Sequence, residues 1–303
     1  MNTLLVLLGP TCVGKTEWSL HIAEALQSPL LSADSRQIYK GLTIGTAAPT
    51  AAQLQRVPHH FVGMLAPEAY YSASQFEEEA LTLVDHLFQF HPCVVMVGGS
   101  MMYIDAVCHG IDEIPTIDEK LRSEVHALYL CEGLEAIRSR LKLLDPVFYD
   151  QVDLKNTQRV IHALEVCLMA GKPYSSLRKK QKKERPFRII KIGFMREREE
   201  LYNRINLRVD EMVEKGLVEE AYRLYPQRHL NALNTVGYKE LFDHFDGNSS
   251  LDLAIEKIKQ HTRNYARKQM TWFKRDHEIQ WINLSAAQVD ATEIVLSRLR
   301  EMH

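Results

Sequence analysis

The residues best suited to chemistry lie near the start of the chain, where Gly9, Gly14, Lys15 and Thr16 have the spacing of a P-loop. The two glycines let the backbone turn tightly, so that successive N–H groups point at phosphate oxygens. Lys15 adds a positive charge for the terminal phosphate, and the Thr16 hydroxyl is the expected ligand of Mg²⁺. The motif predicts that a diphosphate or a triphosphate binds and leaves open which of the two. The predicted phosphate-binding residues are Gly9, Pro10, Thr11, Cys12, Val13, Gly14, Lys15 and Thr16.

A buried strand and a helix must hold this loop in place. The apolar run Leu4 to Leu8 has the length of a parallel strand, and the amphipathic segment Glu17 to Leu26 follows the loop. That helix would aim its positive end at the phosphates. A second short strand, Pro29 to Ala33, ends at Asp34. Because the carboxyl ends of parallel strands line the ligand crevice, we expect Asp34 to face the phosphate site.

A third strand, Cys93 to Val97, ends in Gly98, Gly99 and Ser100. An ordinary P-loop ATPase places a carboxylate near the end of such a strand to help hold Mg²⁺. The glycines count against a standard ATPase or GTPase. Asp34 is the carboxylate that could substitute.

The middle of the chain is helical in pattern and has no convincing strand. A basic run, 178–185, closes this region with six basic residues in eight. Charge runs are usually solvated faces or loops, so this run alone leaves nucleic-acid binding open. The predicted fold class is α/β, with a P-loop NTPase-like parallel sheet flanked by helices and an inserted all-helical domain. The core would comprise 1–113 and 186–303, and the insertion 114–185. The helical patterns within the insertion are Glu119 to Leu130, Leu134 to Leu143 and Thr157 to Met169.

Strand pattern returns at Phe187 to Phe194, and a long helix is predicted over Asp252 to Phe273. That helix interleaves basic residues such as Arg267 with Tyr265 and Trp272. Such interleaving can follow a phosphate backbone while aromatic rings stack on bases. Aromatic residues that pack on the core beside solvated arginines give the same pattern, and periodicity slightly favours that structural interpretation.

Composition is that of an ordinary globular protein, with 303 residues, 46% of them hydrophobic, and a formal net charge of −2. The chain as a whole has no excess of positive charge that would indicate nucleic-acid binding. A nucleic-acid partner must therefore bind to a local basic patch. The five cysteines form no C-x-x-C pair, which favours reduced thiols and argues against zinc. The N-terminal pattern does not suit a signal peptide, and no apolar run is long enough for a membrane helix. We expect a cytoplasmic monomer with no membrane partner.

The motifs together resemble the tRNA dimethylallyltransferase family, also called tRNA isopentenyltransferases, in its bacterial form without a zinc finger. The matching blocks occur in family order across nearly the whole chain. They are GPTCVGKT (9–16), SADSRQIY (32–39), IGTAAPT (44–50), VGGSMMY (97–103), TQRVIHALEV (157–166), RINLRVDEM (204–212), TVGYKE (235–240) and TRNYARKQMTWF (262–273).

The resemblance implies transfer of a dimethylallyl group from dimethylallyl diphosphate to N6 of the adenine 3′ to the anticodon, position 37 of tRNA. The departing pyrophosphate would be stabilised by segment 9–16, by Mg²⁺ on Thr16 and by an arginine, for which Arg208 is the candidate and Arg204 the reserve. Asp34 would accept the proton of the adenine amine as the new bond forms. The predicted catalytic residues are Asp34, Lys15, Thr16 and Arg208.

The resemblance also implies a set of tRNA contacts. The adenine must leave its stack to reach the diphosphate, and loop residues would prop the gap. His162 stands where family members often have arginine, so one phosphate contact is expected to be weaker or pH-dependent. The implied contacts are Asp34, Ser35, Arg36, Gln37, Ser100, Arg122, Gln158, Arg159, Val160, Ile161 and His162.

Three alternatives share part of the pattern. A small-molecule or nucleoside kinase has the same P-loop and strand-end aspartate, but it has no need of the helical insertion, the basic run or the C-terminal helix. An isopentenyltransferase of free adenine nucleotides has the same chemistry without the tRNA-contact blocks. A non-catalytic nucleic-acid-binding protein with a decayed P-loop is disfavoured because Gly9, Gly14, Lys15, Thr16 and Asp34 are all intact.

Overall fold

The computed structural model describes residues 1–179, 182–287 and 289–301. The chain divides into two compact units, the first formed by 1–108 with 185–303 and the second by 109–184, where the sequence pattern predicts 114–185. Two members of the basic run, Lys180 and Gln181, lie outside the described residues. None of the helices within the described ranges combines the length and apolar character needed to cross a bilayer.

The first unit is built on a six-stranded sheet in the order β3-β2-β4-β1-β5-β6, and every neighbouring pair is parallel. The predicted parallel α/β sheet is therefore confirmed. The edge strand β3 has two residues, too few for a periodic pattern, and the sequence predicts a loop there. The strands are β1 (Thr3–Leu8), β2 (Leu30–Ala33), β3 (His59–His60), β4 (Cys93–Gly98), β5 (Arg188–Met195) and β6 (Gln280–Asn283).

The central strand β1 is buried on both faces. Leu4, Val6 and Leu8 pack into one apolar cluster, and Leu5 and Leu7 pack into the other. Successive side chains of a strand point to opposite faces, so a continuous apolar run is what a doubly covered strand requires. This arrangement fixes β1 in the middle of the sheet and places the P-loop at its carboxyl end.

Helices cover the sheet and build the second unit. Ser72 caps α3 in a reciprocal capping box with Gln75. The helix α4 was not predicted, because its apolar residues lack a clear helical period. The helices are α1 (Lys15–Leu26), α2 (Ala51–Arg56), α3 (Ala73–Leu87), α4 (Met101–His109), α5 (Glu119–Leu144), α6 (Pro146–Tyr149), α7 (Thr157–Ala170), α8 (Tyr174–Leu177), α9 (Arg198–Glu214), α10 (Leu217–Leu224), α11 (Tyr238–Phe245), α12 (Leu251–Phe273) and α13 (Ala291–Glu301).

The second unit has its own small core between α5 and α7. Ile137, Leu141, Val160 and Leu164 are fully buried there. Gly133 leaves the helical backbone with φ 76°, which divides α5 where the sequence predicts two helices. The described residues of this unit contain no strand, as expected.

Candidate active site

The phosphate loop follows β1 and depends on its glycines. Gly9 has φ +149°, and a Cβ there would lie 2.5 Å from the carbonyl oxygen of Phe194 on β5. Gly14 has φ +109°, a conformation that side chains rarely adopt. Cys12 also takes a positive φ of 63°. The loop is therefore a tight turn whose shape glycine makes possible.

Lys15 lies across the loop that precedes it. Its Nζ donates hydrogen bonds to the carbonyl oxygens of Gly9 at 2.9 Å and of Pro10 at 2.7 Å. Burial lowers the pKa of Lys15 to about 8, an effect opposed by the charge of Asp34 and reinforced by Arg208. An anion bound in the loop would favour the charged amine.

Asp34 is held at the end of β2 by the turn that follows it. Its Oδ1 accepts hydrogen bonds from the N–H groups of Arg36 at 2.9 Å and Gln37 at 3.3 Å. The next residue, Ser35, donates its N–H to Ser100 Oγ at 2.8 Å. These contacts fix the carboxylate and leave its second oxygen without a hydrogen bond to any described residue.

Helix α9 brings arginines to the phosphate loop. Arg204 Nε donates to the Cys12 carbonyl at 3.0 Å, and Arg208 Nη1 lies 3.6 Å from Cys12 Sγ. The two are four residues apart and therefore share one helix face. Arg196, just before α9, donates from Nε to the Val13 carbonyl at 2.9 Å. The structure thus brings both candidate arginines to the loop, together with Arg196, which the sequence analysis missed.

The glycines at the end of β4, Gly98 and Gly99, are explained by close packing. A Cβ on Gly98 would lie 2.2 Å from the Ala33 carbonyl oxygen, and one on Gly99 would lie 2.5 Å from Gln269 Nε2. Gln269 is buried on α12, where it donates to the Gly99 carbonyl and accepts from the Thr11 N–H. A glutamine side chain occupies this space, so there is no room for a carboxylate at position 99.

A cavity of about 850 Å³ opens beside the loop and Asp34. Its polar wall includes Asp34 and Arg208, and its apolar wall includes Val209 and Met212 on α9 and Val236. Several residues of α12 complete it. Of the predicted site residues, it brings together Thr11, Cys12, Asp34, Ser35, Arg36, Ser100 and Arg208.

Two predicted tRNA contacts are engaged within the protein. Arg36 donates to the carbonyl oxygens of Asn231 at 2.7 Å and Asn234 at 3.2 Å. Gln37 donates from Nε2 to the carbonyl oxygens of Thr46 at 3.2 Å and Ala47 at 3.1 Å. Both side chains therefore hold neighbouring segments of the cavity wall.

Glu220 on α10 is a buried carboxylate that holds the loop lining this cavity. It accepts hydrogen bonds from the N–H groups of Thr43, Ile44 and Gly45 at 3.1, 2.9 and 2.8 Å. It also accepts from the hydroxyls of Thr43 and Tyr238 at 2.6 and 2.7 Å. Burial raises the pKa of Glu220, but these bonds outweigh it and leave the pKa below its ordinary value. The only sequence signal for this role of Glu220 was a glutamate among the apolar positions of an amphipathic helix.

The remaining predicted tRNA residues lie in the second unit. Arg122 is half-buried on α5. Gln158, Arg159 and His162 are exposed on α7, whereas Val160 is fully buried in the core of that unit. A contact from Val160 would have to come from its backbone. Ile161 is half-buried and packs against the same core.

The basic run is not uniformly solvated. Arg185, its last member, has only 9% of its side chain exposed and donates to Glu77 at 2.9 Å and to the Ala106 carbonyl at 2.8 Å. It is therefore a structural part of the first unit. Arg178 lies over the rings of Phe148 and Tyr174 in the second unit.

Comparison with known proteins decides the family. The model of the IPP transferase family matches residues 37–276. A tRNA dimethylallyltransferase of Parabacteroides distasonis is 58% identical over 301 residues, which cover 99% of both chains. The chain belongs to the tRNA dimethylallyltransferase family. Membership favours prenyl transfer over the kinase alternative.

Solved structures agree with this assignment. A tRNA isopentenylpyrophosphate transferase of Bacillus halodurans is 34% identical, with a TM-score of 0.72 over 100% of this chain and 96% of that chain. A eukaryotic dimethylallyltransferase solved acting on tRNA is 22% identical, with a TM-score of 0.82 over 100% of this chain and 79% of that chain, and supports the fold alone. The first of these structures shows that a member of the family shares the α/β fold of this chain.

Proposed function

We propose that this protein transfers the dimethylallyl group of dimethylallyl diphosphate to N6 of adenine 37, beside the anticodon of tRNA, and releases diphosphate. The observation that carries the proposal is one cavity whose lining combines residues of the phosphate loop, Arg208 and the fixed carboxylate of Asp34. Transfer breaks the C1–O bond of the donor and forms an N6–C1 bond. The amine proton leaves to a base.

The phosphate loop would stabilise the leaving group, diphosphate. Breaking the C1–O bond builds negative charge on the diphosphate oxygens, which fixed N–H donors and cations stabilise. Lys15, Arg204 and Arg208 supply the cations around segment 9–16. Arg208, which itself lines the cavity, would stabilise the negative charge that develops on the diphosphate as the bond breaks.

Asp34 would activate the nucleophile, which is the adenine amine. The adenine amine is a poor nucleophile because its lone pair is delocalised into the ring. A carboxylate within hydrogen-bond reach accepts the proton as the bond to C1 forms. The Asp34 oxygen that makes no hydrogen bond to the described residues suits this role, while the other oxygen holds the carboxylate in place.

Mg²⁺ is the cofactor that the donor set fits. Thr16 is exposed at the start of α1, and Ser19 bonds its carbonyl rather than its hydroxyl. A hydroxyl beside diphosphate oxygens offers the oxygen ligands that Mg²⁺ prefers. When bound, the ion would neutralise charge on the departing diphosphate.

Aliphatic side chains of the cavity suit the dimethylallyl group. Val209, Met212 and Val236 line one wall, and Val209 and Met212 follow Arg208 on α9. Burial of a branched five-carbon chain against such a wall is favourable. The donor would then lie with its diphosphate at the loop and its chain along α9.

The tRNA partner would meet basic residues at the cavity and on the second unit. Lys239, Lys257 and Lys268 line the cavity, and Arg159 is exposed on α7. Because the formal net charge of the protein is −2, tRNA binding would depend on these local charges. We further propose that the enzyme acts as a cytoplasmic monomer.

Nucleoside analysis tests the proposal. Purified protein would be incubated with labelled dimethylallyl diphosphate, Mg²⁺ and tRNA that lacks the modification, and the tRNA would then be digested. We expect label in N6-dimethylallyladenosine and equal release of diphosphate. Transfer of the γ-phosphate of ATP to a small acceptor, with no labelled nucleoside, would overturn the proposal.

A further inference from the structure

The aromatic residues interleaved along the end of α12 have different surroundings. Phe273 is buried in the core, and Trp272 donates from its indole N–H to Asp105 at 2.8 Å. Tyr265 instead lines the cavity with 37% of its surface exposed. Among the described residues, it is the one Phe, Tyr or Trp that does so. The structural interpretation of these aromatics therefore holds for Trp272 and Phe273 and fails for Tyr265.

The position of Tyr265 follows from the helix that carries it. Gln269, four residues later, contacts the Thr11 N–H of the phosphate loop. His261 and Thr262, one turn earlier, line the cavity farther along α12. Four residues of helix rise by about 6 Å, so Tyr265 lies one turn from the phosphate loop.

Tyr265 and the carboxylate assigned to the amine line the same cavity. Burial first, and then the negative charge of Asp34, raises the pKa of Tyr265 to about 12. The phenol is therefore neutral at physiological pH. Its oxygen makes no hydrogen bond to any residue that the structure describes. The side chain is thus uncharged, makes no hydrogen bond to the described residues, and lies in the cavity that Asp34 also lines.

We propose that Tyr265 provides the surface on which the extruded adenine stacks while its N6 amine faces Asp34. This inference rests on the proposed function. A purine drawn out of an anticodon loop loses its stacking neighbours, and an aromatic side chain replaces them. The aliphatic wall formed by Val209, Met212 and Val236 offers no such ring. Tyr265 is accordingly a positioning residue for the base.

A binding cycle with two RNAs tests this role without turnover. One anticodon stem-loop carries adenine at position 37, and the other is abasic there. The wild-type protein, Tyr265→Phe and Tyr265→Leu would each be titrated with both RNAs in the absence of donor. Tyr222→Leu, at an exposed tyrosine on α10 outside the cavity lining, is the matched control.

If the base stacks on this ring, Tyr265→Leu weakens binding of the adenine RNA by about 10- to 100-fold and changes binding of the abasic RNA by less than about twofold. Tyr265→Phe keeps the wild-type preference, because the ring remains. Equal loss for both RNAs, or no loss for either, would overturn the role of Tyr265. Thermal unfolding of each variant, and of Tyr265→Ala as a further variant, shows whether weaker binding comes from lost stacking or from lost folding.

The cycle and the transfer assay fail independently. If the preference for adenine survives Tyr265→Leu while wild-type protein still forms N6-dimethylallyladenosine, the stacking role is wrong and the proposed function stands. If wild-type protein forms none, the proposed function is wrong whatever the binding cycle gives.

Discussion

Gln269 links the C-terminal helix α12 to the phosphate loop, because its Oε1 accepts a hydrogen bond from the Thr11 N–H at 2.9 Å. Its Nε2 donates to the Gly99 carbonyl at 2.8 Å, so one side chain ties together the residues that follow β1 and β4. The side chain is buried, with 2% of its surface exposed. The far end of the sequence therefore helps to set the shape of the loop at its start.

Gln269→Ala should destabilise the protein and also lower its affinity for dimethylallyl diphosphate. It leaves the buried Gly99 carbonyl and the half-buried Thr11 N–H without partners, which costs up to about 1–3 kcal/mol for the carbonyl and less for the N–H. Urea unfolding and the dissociation constant of dimethylallyl diphosphate measure the two effects. Gln89→Ala, at an exposed glutamine, is the control. Unchanged values for Gln269→Ala would show that the link has no energetic role.

Donor binding should take up a proton at alkaline pH. Burial lowers the pKa of Lys15 to about 8 in the free protein, and a bound diphosphate favours its charged form. Affinity for dimethylallyl diphosphate should therefore be constant well below pH 8 and fall as the pH rises above it. Titration calorimetry in buffers of different ionisation enthalpy counts the protons. The absence of proton uptake near pH 8 to 9 would show that Lys15 is already fully charged.

Glu220→Gln should destabilise the protein at neutral pH and less at acid pH. An amide NH₂ would face N–H donors that now meet a carboxylate, at a cost of about 1–3 kcal/mol. The pKa of Glu220 lies below its ordinary value of 4.5 in the fold, so the stability it confers is present above about pH 4.5 and lost as the pH falls through the folded pKa. Unfolding by urea at pH 7 and pH 4 measures the difference.

The neighbouring Glu219→Gln controls for the change of charge, because Glu219 is exposed. If the two variants had equal stability at pH 7, the hydrogen bonds of Glu220 to the loop 43–45 would contribute nothing.

The salt dependence of tRNA binding should reveal which cations meet phosphates. Arg267 and Lys268 are exposed on α12, and Lys268 lines the cavity. Each phosphate contact that is removed should reduce the slope of log K against log salt by about 0.7–0.9. Binding of tRNA by Arg267→Ala and Lys268→Ala over a series of KCl concentrations measures this. Arg300→Ala, on α13 and paired with Glu293, should leave the slope unchanged. An unaltered slope in the first two variants would show that neither Arg267 nor Lys268 meets a phosphate.

Local signals predicted much of the fold and of the site. The P-loop and the strand-end position of Asp34 are each encoded within a few consecutive residues, and the long helices in the spacing of their own apolar residues. The parallel sheet follows from the unbroken apolar run of β1. By contrast, β3 forms because His59 and His60 lie beside β2, which no periodicity in two residues could indicate.

Contacts between distant residues were beyond a local pattern. The Gly99 position looked like a missing carboxylate, and the reason, the approach of Gln269, lies 170 positions away. Arg185 looked like part of a charged run, yet it pairs with Glu77 in the first unit. In each case the residue type was visible in the sequence, and its partner was not.

A single-turnover experiment with Asp34→Asn tests the central claim most directly. Asparagine keeps an oxygen for the N–H groups of Arg36 and Gln37 but cannot accept the amine proton. We predict that formation of N6-dimethylallyladenosine and release of diphosphate slow together by about 10²–10⁴-fold, with donor and tRNA affinities within a few-fold of wild type. Asp85→Asn, at an exposed aspartate, should react at the wild-type rate. A wild-type rate for Asp34→Asn would contradict the account of one cavity that both releases diphosphate and deprotonates the base.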